Sequence, residues 1–366
     1  MNPAWQIRPV AVPASLDDDA AADLHSLAAL ERLVNDAVWG HDDLAYPARE
    51  SLAKLRDQTY VRRAHLVAVA PDRPSEVLGA AMVRLPQLGN THLLEVDLLI
   101  HPEQERRGVD DALLAAVQAR ARADGRRVVL LSSEHAHEPA ADHADALVAP
   151  TGSGRICRAD PGAALAERHG FTLEQAERYS VLRLPVPPDR LTAQRSEAVA
   201  AAGADYRTIT WEDRCPDRWV GELARLETRM STDAPNAGLE IVEDPWDADR
   251  VRTAEASIAA AERGYVGTVV EHVPTGTLAG FTVLEYPRAA PAVVFQQDTL
   301  VAREHRGRRL GLLIKAVNLE RLAELRPGAR RVHTWNAEEN SFMLAINVEL
   351  GFEPVGVYGV WQKHLR

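Results

Sequence analysis

Apolar and polar positions divide the chain into short strands and longer helices, in an order that occurs twice. Apolar stretches typical of strands lie at residues 66–70, 77–85 and 93–100, and again at 266–270, 278–285 and 293–301. Turn-forming residues at 71–74 and 274–276 separate the first two strands of each set, which predicts a β-hairpin in each half. The repetition indicates one fold used twice.

The elements around these strands repeat in the same way. A strand opens each half, at 5–10 and 206–210, and residues 18–34 follow the first as a predicted helix. After the third strand of each set, the pattern predicts a helix and then another strand, at 110–123 and 127–132 and at 310–325 and 331–335. A helix ending in Gly-Phe and a last strand, at 178–184 and 357–363, complete each copy.

This order predicts the fold class and the domains. We expect an α/β protein of the mixed α+β kind, with two tandem domains, each a mostly antiparallel central sheet flanked by helices. The proline-rich segment 185–189 predicts a boundary that gives domains 1–187 and 188–366. The first copy carries an insertion at about 134–154, which predicts a surface loop. Its histidines lack the spacing of metal ligands, so we expect no metal.

Composition excludes several classes of protein. The 366 residues carry a net charge of −11, which disfavours binding to nucleic acid or to an anionic membrane. No apolar run reaches the length of a membrane span, and residues 1–5 show no basic-then-apolar leader. The two cysteines are too few for a disulfide scaffold, and we expect free thiols in the reducing cytoplasm.

One turn of the second half carries the residues for anion binding. The sequence Arg306-Gly307-Arg308-Arg309-Leu310-Gly311 follows a strand and opens a helix whose first turn has no acidic side chain. The backbone N–H groups at a helix start favour an anion, and the arginines add positive charge. Glycine lets the backbone come close to a phosphate. A basic loop without a ligand is the alternative.

This turn resembles the acyl-CoA-binding turn of the GNAT acetyltransferases, whose pattern is Gln/Arg-x-x-Gly-x-Gly/Ala. Arg306 and Gly311 match its first and last positions, whereas Arg309 replaces the middle glycine. Residues 336–352 resemble a second motif of the family, Asn-x2-Ala-x3-Tyr-x3-Gly-Phe. Asn340, Met343 and Asn347 fall on its positions, so the family's tyrosine, often the acid that protonates the leaving thiolate, is Asn347 here. The tandem arrangement is similar to that of the mycothiol synthases.

The resemblance implies an N-acetyltransferase that uses acetyl-CoA as co-substrate and acts on an amine of a small molecule or peptide. It implies that backbone N–H groups of Leu300 and Val301 polarise the thioester carbonyl. It implies that Asn336 and Asn340 contact the pantetheine arm, although helix capping explains asparagine equally well. The CoA-contacting residues it suggests are Leu300, Val301, Arg306, Gly307, Arg308, Arg309, Leu310, Gly311, Asn336, Asn340 and Met343.

Direct attack by a neutral amine requires a base. Asp298 is the best-placed carboxylate and Glu285 is the second, although a strand carboxylate is more often solvated or salt-bridged. His333 has apolar neighbours and is expected in the core or a pocket wall. The segment 230–246 is acidic and, as a lid over the acceptor, would favour a cationic amine, although a solvated acidic loop is the more frequent case.

The first half is a degraded copy of the same motifs. Glu105 and Asp110 stand where Arg306 and Gly311 stand in the second half, so two carboxylates face the expected pyrophosphate position. We expect the acyl-CoA site in the second half, and a monomer rather than a homodimer. Two alternatives stay open: a non-catalytic acyl-CoA-binding or regulatory protein on the same fold, and an unrelated phosphate-binding α/β protein.

Overall fold

A computed structural model describes residues 5–365, so the expectation about an N-terminal leader falls mostly outside the described residues. The chain forms two compact units. The first unit takes in the described residues up to 177, together with 237–240 and 356–365, and the second takes in 178–236 and 241–355. The domain boundary at 187/188 stays a prediction. Within residues 5–365, no helix combines the length and apolarity that crossing a membrane requires.

The elements up to residue 183 are β1 (Gln6–Pro9), α1 (Ala22–Trp39), α2 (Ala48–Arg56), β2 (Val61–Ala70), β3 (Arg73–Pro86), β4 (Leu93–Ile100), α3 (Val109–Ala123), β5 (Val128–His135), β6 (Ala146–Val148), β7 (Arg155–Cys157), α4 (Pro161–Arg168) and β8 (Thr172–Arg183). The elements after it are α5 (Pro188–Ala202), β9 (Tyr206–Glu212), α6 (Val220–Asp233), α7 (Ala248–Ala260), β10 (Arg263–His272), β11 (Thr277–Pro287), β12 (Val293–Val301), α8 (Leu310–Leu325), β13 (Arg331–Ala337), α9 (Ser341–Leu350) and β14 (Glu353–His364).

In the first unit, the strands lie in the order β1-β2-β3-β4-β5-β14. Neighbours are antiparallel except β4 and β5, which are parallel. The last strand of the chain therefore belongs to this sheet, where Tyr358 lies opposite Glu134. The insertion at 134–154 is not wholly a loop, because β5 extends to His135 and a small hairpin joins β6 to β7.

In the second unit, the order is β9-β10-β11-β12-β13, followed by the second part of β8. From β9 to β12 neighbouring strands are antiparallel, and β12 and β13 are parallel. The predicted bounds of β4, β12 and α8 are confirmed residue for residue, and the mixed, mostly antiparallel sheet flanked by helices is confirmed. Helix α1 was predicted at 18–34 but spans Ala22–Trp39. It begins later because Asp18 caps a short 3₁₀ turn that precedes it.

Each unit buries its apolar side chains on both faces of its own sheet. In the second unit, one core packs α8 against β10 and β11 through residues such as Leu313 and Val266, both nearly inaccessible. The other face packs α6 against Phe281 and Leu300. Burial of this apolar surface, at about 25 cal/mol per Å², is the main force that holds each sheet between its helices.

Close contact between β11 and β12 depends on Gly280, which lies opposite Val301. A Cβ at this position would lie 2.6 Å from the Leu300 carbonyl oxygen, a distance that only a shift of backbone could relieve. We expect Gly280→Ala to lower the free energy of unfolding by about 1–3 kcal/mol in urea denaturation. The matched control is Gly221→Ala in α6, where an added Cβ meets open space; there we expect no loss. Equal stability of the two variants would contradict this account.

Candidate active site

Strands β12 and β13 pair only at their beginnings. The pairing runs from Val293 opposite Arg331 to Phe295 opposite His333. Both strands then continue without further pairing to each other. A register shift in the β11/β12 pair gives β12 one extra residue between Gln296 and Thr299, which is a β-bulge. The bulge contains Asp298, whose side chain is exposed. We call the region between the unpaired parts of β12 and β13 the strand opening.

The first unit lacks this arrangement. There β4 and β5 pair over five residues, from Leu93 to Asp97, and the β3/β4 register runs without a shift from Gly79 to Arg84. The parting of the parallel strands therefore begins later in the first copy, and no bulge accompanies it. The difference between the units lies in the strands as well as in the turn that follows them.

The basic turn after β12 has two residues in the left-handed region. Gly307 has φ +79° and Arg309 has φ +55°, so the arginine does adopt the conformation for which the family uses glycine. In the first unit the corresponding residues are Arg106 at φ +58° and Gly108 at φ +90°. Each copy thus places one glycine and one arginine on the same two strained positions, in opposite order.

Helix α8 begins with open N–H groups. No side chain caps its start, its first turn has no acid, and the Leu313 N–H is the first of the turn to bond back, to the Arg309 carbonyl. The N–H groups of residues 310–312 therefore face outward, where an anion is favoured. Gly311 is buried, and a Cβ there would lie 2.9 Å from the Cδ1 atom of Ile346.

The three arginines of the turn are held differently. Arg306 donates to the Val301 carbonyl, and Arg309 pairs with Glu349 and Glu197. Arg308 donates to the Arg306 carbonyl, and its guanidinium lies 5.9 Å from the ring centroid of Tyr206. Among the described residues it pairs with no carboxylate, so its positive charge is the least neutralised of the three.

The corresponding helix start of the first unit is occupied by its own carboxylates. Asp111 accepts hydrogen bonds from Arg168 at 2.9 Å and from His169 at 2.7 Å. Asp110 is buried, and its Oδ1 atom has no partner within the described chain. These side chains place negative charge at the N-terminus of α3, which repels a phosphate there.

Two carboxyl groups lie near each other at the strand opening. Glu227 of α6 has its pKa raised well above the usual value, first by the loss of water around it and then by the negative charge of Asp298. Desolvation likewise raises the pKa of Asp298. Since Asp298 still touches solvent and Glu227 is half-buried, these shifts reflect a recess crowded by protein atoms and not complete exclusion of water.

Sequence reasoning missed Glu227, although the signal was present. The five-residue stretch that ends at Glu227, Leu-Ala-x-Leu-Glu, recurs at 27–31 and ends at Glu31. Glu31 is buried, and burial raises its pKa to about 8, with the charge of Asp97 adding to the shift. Asp97 and Asp298 both lie on the strand before the turn. Each copy therefore keeps a helix glutamate near a strand aspartate.

The other predicted catalytic residues lie in hydrogen-bonded settings. Glu285 pairs with the buried guanidinium of Arg263. Asn347, on the family's tyrosine position, is 2% exposed and lies between Lys315 and Asn336. Lys315 was not anticipated. Its ammonium group donates to the Asn347 Oδ1 atom at 2.7 Å, and burial lowers its pKa to about 7.

The asparagine and backbone groups that the resemblance suggested as contacts lie at the start of α9 and the end of β12. Asn340 caps α9, since its side chain accepts from the Met343 N–H at 3.3 Å. Ala302 donates its N–H to β11, and strand alternation therefore directs the N–H of Val301 away from β11 and that of Leu300 toward it. His333 is fully buried, in accord with a core or wall position.

Two further groups that could act as nucleophiles, the thiol of Cys215 and the hydroxyl of Ser133, are buried. Burial raises the pKa of the Cys215 thiol to about 12, so it stays protonated and is a poor nucleophile. In the first unit, Ser133 bonds to His135 at 2.8 Å, and His135 bonds to Asp160 at 2.6 Å. Trp361 donates to the serine oxygen, which is enclosed in the core, so we assign this series a structural role.

The comparisons with known proteins agree with this geometry. No family model and no curated protein matches the sequence. Among solved structures, a tandem GNAT protein from the clavulanic acid biosynthesis pathway is 26% identical, and the alignment covers 98% of each chain with a TM-score of 0.71. A GCN5-related N-acetyltransferase from Sphaerobacter thermophilus is 17% identical over 99% of this chain and 96% of its own, with a TM-score of 0.62.

A fungal glucosamine N-acetyltransferase region within a multi-domain β-N-acetylglucosaminidase has a TM-score of 0.60 at 14% identity, over 99% of this chain and 38% of the other. The protein thus has the GNAT fold, which supports acyl transfer in general. More particularly, it has the fold of a tandem GNAT protein, and the resemblance found in the sequence is confirmed. None of these three proteins is named a mycothiol synthase.

Burial of Lys315 predicts a pH-dependent cost in stability. Its pKa falls from 10.5 to about 7 on folding, so between these two pH values folding releases a proton. The free energy of unfolding therefore declines as the pH falls through that window. Lys315→Met removes this dependence. We expect the free energy of unfolding of this variant minus that of the native chain, measured by urea denaturation, to be larger at pH 7 than at pH 9. A difference that stays constant with pH would show that Lys315 is not desolvated.

Proposed function

We propose that the protein transfers an acetyl group from acetyl-CoA to the amine of a small molecule or peptide, with its site in the second unit. The observation that carries this proposal is the uncapped start of α8 directly beside the strand opening. An anion at the helix start and an extended arm between β12 and β13 would place the thioester near Val301 and Asp298. The fold of the similar structures supports the same class of reaction.

The proposed reaction is direct attack. The amine nitrogen bonds to the acetyl carbon while the carbon–sulfur bond breaks, and the electron pair leaves with the sulfur. The N–H of Val301 faces away from β11 and would stabilise the negative charge on the carbonyl oxygen. Asp298, with Glu227 beside it, takes the proton that the amine releases. Much of the acceleration comes from holding the two substrates together.

The carboxylates Asp298 and Glu227, more than the acidic segment at 230–246, supply negative charge for an amine. Within that segment, Asp233 pairs with Arg303 and Asp244 pairs with Arg250, so much of its charge is already neutralised. We therefore place recognition of a cationic amine at Asp298 and Glu227. An amine that binds as a cation can pass its proton to this pair before attack.

Isothermal titration calorimetry tests the binding part of the proposal. We expect CoA and acetyl-CoA to bind at one site per chain. Gly311→Asp should abolish binding, because it puts a carboxylate at the start of α8, as Asp110 does at α3. Gly311→Ala is the matched control, since it adds the same Cβ near Ile346 without charge, and we expect at most a modest loss. CoA binding that survives Gly311→Asp would refute the assigned turn.

The carboxylate pair predicts a specific pH dependence. A raised pKa means that the base forms only toward neutral pH, so kcat/KM for a given amine should rise with pH. Asp298→Asn should lower kcat/KM by about 10²–10⁴-fold. Glu227→Gln leaves Asp298 as the single carboxyl of the pair. Because the charge of Asp298 raises the pKa of Glu227, whereas desolvation alone raises that of Asp298, kcat/KM of this variant should rise in a single step at or below the pH of the native limb. A rising limb at higher pH than in the native chain would contradict this assignment.

A second function has one observation in its favour. Asn347 occupies the position of the family's acid, and an amide donates no proton at neutral pH. A non-catalytic acyl-CoA-binding protein is the alternative that this residue suggests. Release of free thiol from acetyl-CoA across a panel of amines separates the two. Binding of acetyl-CoA without thiol release from any amine would favour the second function.

A further inference from the structure

Lys315, Asn347 and Asn336 form a directed series of hydrogen bonds that ends at the strand opening. Lys315 is 1% exposed, and its Nζ atom donates to the Asn347 Oδ1 atom at 2.7 Å. The Asn347 Nδ2 atom donates to the Asn336 Oδ1 atom at 2.6 Å. The Lys315 ammonium also lies 5.7 Å from the ring centroid of Phe352, and within the described chain it pairs with no carboxylate.

Lys315 sets the direction of the series. The Lys315 Nζ atom donates to the Asn347 Oδ1 atom, and in its ammonium form it has three donors and no acceptor, so that form requires Asn347 to turn its oxygen toward it. The Asn347 amide nitrogen then faces Asn336, which must offer its oxygen in turn. Because the oxygen and nitrogen of an asparagine side chain can exchange places with little change in shape, the lysine is what decides both orientations.

The free end of the series is a donor. Asn336 is the penultimate residue of β13, past the point where β13 stops pairing with β12, and it is half-buried. Its oxygen is engaged by Asn347, so its amide nitrogen points away from the series. Within residues 5–365 this nitrogen donates to no other group. A donor fixed at the edge of the opening fits a carbonyl acceptor on a bound ligand.

We propose that Lys315 is a positioning residue, acting through Asn347 to hold the Asn336 amide as a donor toward a carbonyl oxygen of the acyl-CoA arm. The proposal rests on the acyl-CoA site proposed above. A merely structural role is a poor explanation, because a buried lysine without a carboxylate opposes folding, and an apolar side chain would fill the same space without that cost. The family's tyrosine position thus holds one link of a fixed donor series.

The first test compares two ligands by calorimetry. CoA carries the arm, whereas adenosine 3′-phosphate 5′-diphosphate carries the phosphates without it. Lys315→Met should weaken CoA binding by about 5- to 10-fold, the size of one neutral hydrogen bond, and leave the fragment unaffected. Lys363→Met is the matched control; that lysine lies in the first unit, bonded to Gln118 and His169, and both affinities should stay unchanged.

The second test reverses the series without loosening the fold. In Asn347→Asp, the carboxylate still accepts from Lys315 but cannot donate to Asn336, so Asn336 must turn its nitrogen inward and its oxygen toward the arm. The new ion pair should leave the melting temperature equal or higher, while CoA binding weakens as in Lys315→Met. A purely structural role predicts that this stable variant binds CoA as the native chain does.

The outcomes separate the two proposals. If the native chain binds neither CoA nor the fragment, the proposed function fails and the role of Lys315 falls with it. If the native chain binds both ligands, unchanged CoA affinity in Lys315→Met and Asn347→Asp overturns the positioning role alone. Equal weakening of both ligands in the two variants overturns it as well, since a general distortion would then explain the loss.

Discussion

The parting of β12 from β13 is the constraint on which the rest of the second unit depends. Parallel strands gain stability from every pair of hydrogen bonds, yet here the pairing ends at Phe295 and His333. The bulge at Asp298 turns β12 away and leaves backbone groups of both strands without strand partners. The strand opening arises because β12 and β13 stop pairing at this point.

The site residues take their roles from this opening. The turn 306–309 leads from the end of β12 into α8, so the open N–H groups of that helix lie beside the strand that carries Asp298. Helix α6 packs on β11 and β12 and brings Glu227 near the bulge. Asn336 lies on the unpaired part of β13. The open helix start, the unpaired strand ends and the two carboxyl groups thus lie on neighbouring elements.

The two copies separate what the fold requires from what the proposed chemistry requires. Both keep the strand order and the two left-handed positions of the turn. Both also keep a helix glutamate close to a strand aspartate. Only the second keeps a helix start free of acids and an early parting of its parallel strands. In the first, Asp110 and Asp111 occupy the helix start.

The sequence by itself determined the strands, the helix after the basic turn and the tandem organisation, because alternation and turn residues are local properties that tertiary contacts did not override. The bounds of β12 and α8 show this. The motif residues also predicted the turn between β12 and α8, and the strand pattern put Asp298 on β12. Tertiary structure alone decided that Glu285 pairs with Arg263, that Glu227 lies near Asp298, and that Lys315 donates to Asn347. These pairs join residues far apart in the chain, and only packing brings them within reach of each other.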